Sequence, residues 1–457
     1  MKVLVAIANH GAKNQSYLDR LLKEYRSMVY DVDVVILSNI PKDLGDDIEV
    51  RVGLPAKEPW SLPFGHKELF AQKKDDYDLF IYSEDDTLIT EKHIRDFLDA
   101  TNELPPKKIA GFLRYEEDEE GDKYCSSMHS HYHWQVDSVA KHGDNVYASY
   151  SNLHSACFIL TQNQLKECID SGGFLVEPHE GLYDMLCSAA TDPYMQCGLE
   201  KVICISKLDD FLLHHMPNQY LGRMGQPFDE MHLAASRLLE SLENPLKSLL
   251  PDQTNLPTWE FEKHYHEKTD SLLLNMIPAK CHRIISVGCG SGVLEGELVK
   301  KGYDVLALPL DGIVSVLAGK RGVKCLLPDW IELDSLKDEA DVVLMSNILC
   351  YVSDPVDVLR KCGILLKKDG CLLLKVPNLN YIKNHHFRRF KSNIKNSMLN
   401  YNFTDFRVTK KWLDGASLKV ADVECVYPAK FPVYLRGIGS TIDNFFAKEI
   451  IINAVTK

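Results

Sequence analysis

The chain has 457 residues, enough for two or three domains at about 150 residues each. It carries 52 Lys and Arg against 65 Asp and Glu, a formal charge of −13, and this balance excludes general nucleic-acid binding, which needs a basic stripe to displace phosphate counterions. No run approaches the roughly 18 apolar residues of a membrane-spanning helix.

Residues 1–240 alternate apolar runs with amphipathic stretches. Val3–Ala8 reads as a buried first strand and is too short for a secretory signal core. Leu18, Leu21, Leu22 and Tyr25 recur at helical spacing. Val32–Leu37 and Tyr77–Tyr82 are the next strands, Glu91–Ala100 is a helix, and Ile109–Leu113 and Ser155–Leu160 are strands. The alternation predicts an α/β sheet covered on both faces. Pro245, Pro251 and Pro257 then break the pattern. They place a linker at 245–258 between domains 1–244 and 259–457. The charge divides there too. Residues 1–258 hold 24 basic and 42 acidic side chains, and the remainder holds 28 and 23. Two regions of such different balance are not expected to share one substrate surface.

Beyond the linker, Leu272–Ile277 and Leu294–Lys300 read as helices. Arg283–Val287, Val305–Leu308, Val323–Leu326, Val342–Met345 and Cys371–Val376 read as strands. The expected fold class is therefore α/β in two domains, each a mostly parallel sheet flanked by helices. The 13 cysteines include no CxxC pair and many lie in apolar runs. They predict reduced, buried thiols in a cytoplasmic protein and give no support to structural zinc.

Three features of the first domain carry chemistry. The apolar run Asp78–Ser83 ends in Glu84, Asp85 and Asp86. If the chain stays extended, Glu84 and Asp86 point the same way, and such hard oxygens suit Mg²⁺ or Mn²⁺. An acidic turn ahead of a helix is the alternative. Second, His214 and His215 follow another apolar run. Third, Glu180 and Asp184 stand at i and i+4, on one face of a helix. His129, His131 and His133 alternate in a way that also admits zinc.

This strand–loop–helix start with its acidic triplet resembles GT-A-type glycosyltransferases over residues 1–240. The resemblance implies that Glu84–Asp86 stand for the Asp-x-Asp motif, holding the metal and diphosphate of a nucleotide-sugar donor. It places Asn9, His10 and Gly11 by the nucleotide and brings a late histidine, His214 or His215, to the metal. Asp184, ahead of Glu180, takes the acceptor hydroxyl proton. Tyr132 and Trp134 become acceptor-cleft wall. The acid usual at the end of the second strand is missing, and Ser38 and Asn39 are left to hydrogen-bond the base.

In the second domain a strand enters Gly288-Cys289-Gly290-Ser291-Gly292 and a helix leaves it. Glycine serves where the backbone turns sharply or a ligand approaches the main chain. The series continues through Asp341–Pro355, Leu365–Gly370 and Val376-Pro377-Asn378. Together these resemble the class I S-adenosylmethionine-dependent methyltransferases over most of 259–426. The resemblance implies that Gly288, Cys289, Gly290 and Gly292 lie under the methionine part of the cofactor. It sets Pro328, Asp329 and Trp330 beside the adenine and has Asn347 line the methyl-transfer cleft. The family's ribose-binding acid is replaced by Pro309, and Asp311 is the substitute two residues on. The basic, aromatic stretch 384–391 is either an anionic-acceptor contact or a solvated helix.

The expectation is a bifunctional enzyme using S-adenosylmethionine and a divalent cation, Mn²⁺ or Mg²⁺. It takes a nucleotide-sugar donor and methylates a saccharide or lipid-linked saccharide acceptor in surface polysaccharide assembly. It is cytoplasmic, with peripheral membrane contact allowed and no nucleic acid. One alternative is a methyltransferase with a non-catalytic glycan- or nucleotide-binding first domain. Another is a non-catalytic scaffold with degenerate sites.

Overall fold

A computed structural model describes residues 1–126, 134–181, 183–219, 221, 225–245, 269–326, 335–381, 402–429, 431–432 and 445–457. The chain divides into two compact units, Met1–Leu242 and Glu243–Lys457.

The first unit opens with β1 (Lys2–Asn9), α1 (Gln15–Ser27), β2 (Asp31–Ser38) and β3 (Ile48–Val52). Leu18, Leu21, Leu22 and Tyr25 form the buried stripe of α1. A 3₁₀ turn over Pro59–Phe64 leads into α2 (Gly65–Gln72) and then β4 (Leu79–Glu84). β1 to β4 are parallel, and a later strand, β11 (Cys157–Thr161), joins antiparallel, giving the order β11-β4-β1-β2-β3. The order reverses between β1 and β4. In open parallel sheets the crevice at such a switch point, outside the carboxyl ends of the strands, is where ligands bind.

The rest of this unit corrects the expectation of a single mostly parallel sheet. Short strands build two further sheets. One runs β6 (Lys108–Ala110), β12 (Glu200–Cys204), β10 (Asn145–Ala148), β9 (Ala140–His142). The other runs β14 (Gly225–Pro227), β8 (Lys123–Ser126), β7 (Leu113–Glu117), β13 (Leu212–His215), β5 (Thr87–Leu88). The apolar run at 109–113 is thus two strands in two sheets. The chain changes sheet at Gly111, where a Cβ would lie 2.2 Å from the Lys201 side chain. Four helices complete the unit: α3 (Glu91–Glu103), α4 (Gln162–Asp170), α5 (Met185–Met195) and α6 (Phe228–Glu240).

The second unit is one seven-stranded sheet. It contains α7 (Ser271–Met276), β15 (Arg283–Cys289), α8 (Val293–Lys300), β16 (Asp304–Pro309), α9 (Val314–Lys320), β17 (Lys324–Cys325), β18 (Ala340–Ser346), α10 (Pro355–Leu365), β19 (Leu366–Pro377), α11 (Phe406–Gly415), β20 (Leu418–Val426) and β21 (Glu449–Thr456). The order is β17-β16-β15-β18-β19-β21-β20, with β21 antiparallel to both neighbours. Near-continuous apolar runs such as Ala340–Met345 and Leu372–Leu374 are what strands buried on both faces require. The switch point falls between β15 and β18, at the glycine turn. Among the described residues no helix is long and apolar enough to cross a membrane.

Candidate functional site

In the first unit, a cleft of about 310 Å³ opens at the switch point, lined by His10, Asn14, Trp60, Glu84, Asp85, Asp86 and Leu186 among others. The acidic triplet does not stay extended. β4 ends at Glu84, Asp85 and Asp86 form a turn, and Thr87–Leu88 starts β5. The turn is not a helix cap either, since Thr90 caps α3. Asp85 is held from β1 and the following loop. Asn9 Nδ2 donates to its Oδ2, and Asn14 Nδ2 donates to Oδ1 at 2.8 Å. Burial still pushes its carboxyl up to about 6.

Behind the triplet lies a buried ionic network. His215 Nδ1 meets Glu116 Oε1 at 2.6 Å and its Nε2 meets Asp86 Oδ2 at 3.5 Å. Burial disfavours its charge, but the two carboxylates outweigh burial and raise its pKa. His154 Nε2 lies 3.5 Å from Glu84 Oε1, and Arg114 lies 3.3 Å from His154 Nδ1. Lys201 Nζ donates to Leu153 O at 3.0 Å and Ser155 Oγ at 3.2 Å, fixing the loop that carries His154. Burial pulls its ammonium down to about 7. The next residue, Ala156, has φ +57°, and its carbonyl accepts the Glu84 amide at 2.9 Å. A non-glycine residue in the left-handed region stores strain of a kind that clusters at functional sites.

Of the paired histidines, only His215 faces the carboxylates. Neighbours on a strand point to opposite faces, and His214 stacks on Tyr115 with ring centroids 5.1 Å apart. Among the described residues no three His, Cys, Asp or Glu side chains are placed to hold one metal ion. The expected cation is thus without support among the described residues. Glu180 and Asp184 do not share a helix face. α5 begins at Met185, and Asp184 is its N-cap, accepting the Cys187 amide at 2.9 Å. Aspartate is strongly preferred at that position. The pair therefore lies ahead of the helix. Ser38 Oγ accepts from Ile40 N within its own loop, and Asn39 Oδ1 accepts from Gly11 N at 2.7 Å, tying the loop after β2 to the loop after β1. The histidines at 129–133 lie outside the described residues, while Trp134 is buried against Tyr150. Trp60, Arg114, His154 and Lys201 were not singled out from sequence. They come together only through long-range packing, although a tryptophan between Pro59 and Pro63 outside any apolar period was a usable signal for Trp60.

In the second unit, Gly288 interrupts the β15–β16 register and has φ +80°, and Gly292 has φ +77°. A Cβ on Gly288 would lie 2.8 Å from the Ile348 side chain, and one on Gly292 2.7 Å from Ala318. The turn thus packs directly on the segment after β18. There Asn347 holds φ +55° and donates its amide to Lys375 O at 2.9 Å. Two buried side-chain oxygens at this turn, Ser291 Oγ and Asn347 Oδ1, have no partner among the described residues. Buried polar atoms are nearly always paired, so this turn fits a polar ligand. Cys289 is the buried last residue of β15. Asp311 does not continue the second strand, which ends at Pro309, since proline has no amide for the ladder. Its Oδ1 accepts the amides of Ile313 and Val314, both at 2.9 Å. Asp329, Trp330 and the stretch 384–391 lie outside the described residues. The chain beyond that stretch returns to the turn after β18: Asn402 Nδ2 donates to Leu349 O at 2.9 Å and Val352 O at 2.6 Å.

Comparison with known proteins bears on this half. Residues 235–420 match the family model of a methyltransferase domain. The chain is 26% identical over 136 residues to a ubiquinone biosynthesis O-methyltransferase of Paracidovorax citrulli, covering 27% of this chain and 57% of that protein. The corresponding protein of Xanthomonas oryzae pv. oryzae is 30% identical over 103 residues, 21% of this chain and 43% of that one. The chain spans about half the length of these relatives. Among solved structures it is similar to an S-adenosylmethionine-dependent methyltransferase from Mesorhizobium loti (19% identity, 40% of this chain, 95% of that chain, TM-score 0.31). It is also similar to a geranyl diphosphate C-methyltransferase from Streptomyces coelicolor (14%, 41%, 77%, TM-score 0.31).

Proposed function

We propose that the second unit transfers a methyl group from S-adenosylmethionine to a hydroxyl of a saccharide or related small acceptor. The observation that carries this reading is the glycine turn with its two orphaned oxygens, within the stretch that matches a methyltransferase domain. The cofactor supplies a methyl group on a positive sulfur, already a good leaving group. The protein's task is then chiefly in-line alignment with the acceptor. Gly288, Gly290 and Gly292 give the backbone room, and Ser291 and Asn347 offer hydroxyl and amide contacts. Asp329 and Trp330 remain the candidates beside the adenine. Titration calorimetry with S-adenosylmethionine tests the reading. Saturable heat is expected, and its absence at millimolar cofactor would remove it.

For the first unit we propose a nucleotide-sugar cleft at the carboxyl ends of β1 and β4, with His10, Asn14 and the Glu84–Asp86 turn as its polar wall. Trp60, 51% exposed, offers a flat face for a base or sugar ring. Asp184 stays the preferred general base over Glu180. No step is assigned to a metal. One observation favours a second reading, in which this unit binds a neutral glycan without turning it over. His215 already lies between Asp86 and Glu116, whose carboxylates raise its pKa, so part of the acidic charge is balanced without a cation. Hydrolysis and binding across a panel of nucleotide sugars, with and without Mn²⁺, separates the two. Metal-dependent turnover of any donor supports transfer. Binding of a free oligosaccharide with no turnover supports the binding module.

A further inference from the structure

One carboxylate of the first cleft stands apart from the ionic network behind it. His215 lies against Asp86 and Glu116, and His154 lies against Glu84. Asp85 is 6% exposed, and both its oxygens accept from neutral groups, the carboxamides of Asn9 and Asn14. Among the described residues no lysine or arginine forms an ion pair with it, and Lys42 instead donates to Gly11 O at 2.6 Å. A carboxylate withdrawn from water is costly without a counter-charge. Asn9 adds a second unmet acceptor at the same place. It is fully buried, its Nδ2 is spent on Asp85, and its Oδ1 has no partner among the described residues. Buried polar atoms are rarely left so. The cleft itself is lined by Glu84, Asp85 and Asp86 with no lysine or arginine, and Trp60 sets an exposed indole face in the same wall.

We infer that this cleft takes a sugar carrying a free amine, with its ammonium at Asp85 and the Asn9 carbonyl and its ring against Trp60. The inference rests on the glycan-binding reading above and replaces that reading's neutral ligand with a cationic one. An ammonium brings three donors and no acceptor, the complement of a wall made of acceptors. A sugar hydroxyl brings lone pairs along with its hydrogen, and a phosphate brings only acceptors and like charge. The indole face attracts a cation through its quadrupole and also packs on the apolar face of a sugar ring. Leu62, Pro63 and Leu186 complete the apolar part of the lining. A cleft of about 310 Å³ has room for a ring and its substituents, more than a bare amine would fill.

Calorimetry of the full chain in buffer containing EDTA tests this, with β-1,4-linked tetramers of glucosamine, N-acetylglucosamine and glucose as probes. The glucosamine tetramer should bind about tenfold more tightly than the other two. Its advantage should shrink as salt rises, because the added interaction is ionic. Spermidine, an amine without a ring, should not compete at the same concentration. Asp85→Asn removes the charge and keeps an amide oxygen, and Trp60→Ala changes a half-exposed side chain. Each should weaken the glucosamine tetramer about tenfold. Equal affinity for the three tetramers overturns the inference and leaves the glycan-binding reading standing. Binding of none of them overturns both. Equal competition by spermidine, or glucosamine binding that Trp60→Ala leaves unchanged, also overturns the inference. The tetramer and salt series use the unsubstituted protein, so a poorly folding Asp85→Asn does not weaken the test.

Discussion

Gly288 has two reasons to lack a side chain, and they predict separable losses. Its φ of +80° strains any L-residue, and a Cβ would press on Ile348. Gly288→Ala should cost about 1–3 kcal/mol of stability in the second unit and also displace the segment carrying Asn347. Calorimetry should then show S-adenosylmethionine affinity falling by more than tenfold, whereas Asn347→Gly, which accepts the φ of +55°, should weaken binding with little change in melting temperature. Trp60 gives the opposite kind of test. It is half exposed and carries little of the core, so Trp60→Ala should leave the melting temperature within a degree or two. If the ring stacks on a bound base or sugar, affinity in the first cleft should drop by about 1–2 kcal/mol, roughly tenfold. Unchanged affinity of a ligand that demonstrably binds the first unit would count against the stacking role.

At the scale of elements, α5 lets a cap be told from a base. Asparagine caps as well as aspartate but cannot accept a proton as a base. Asp184→Asn should therefore keep the stability of α5, while Asp184→Ala should lose about 1 kcal/mol. If Asp184 is the base of a transfer reaction, both variants lose turnover. If it is only a cap, Asp184→Asn retains it. In the second unit, Asp341 binds three elements together. It accepts from the His282 and Arg283 amides at 2.9 and 2.8 Å and from Lys367 Nζ at 2.6 Å. Burial works against its ionisation, yet these donors prevail and hold the carboxyl at about 2. A carboxyl whose folded pKa is depressed stabilises above its unfolded value, near 4, and loses that contribution as pH falls through the folded value. Asp341→Asn should therefore melt below the parent at pH 7, by an amount on the order of 1 kcal/mol after solvent screening. Melting curves of the pair should converge as pH drops from about 4 towards about 2. A gap that stays constant over that window would sink the assignment.

For the molecule as a whole, the two compact units should respond separately to ligands. S-adenosylmethionine at about 100 times its dissociation constant should add about 2.7 kcal/mol to the unit that binds it. Differential scanning calorimetry should show one transition move and the other stay. The second unit was legible in sequence through β19, because those strands are mostly continuous apolar runs separated by helices and its turn is written in glycine, whereas β20 and β21 were not read. The first unit was legible in most of its five-stranded sheet and in α3, but not in its two smaller sheets. The strands of those smaller sheets are two to five residues long, and several pair across distant parts of the chain. Periodicity over so few residues does not distinguish one parallel sheet from three mixed ones. The acidic triplet was visible, but its turn, and the ionic network of Arg114, Glu116, His154 and His215 behind it, depend on contacts 40 to 99 residues apart. Gly111, where the chain passes between two of those sheets, imposes an order on divergence. No side chain fits there while Lys201 is present, because the lysine stem fills the space a Cβ would take. A descendant of this protein can therefore acquire a larger residue at 111 only after position 201 has shortened, and the reverse path is closed.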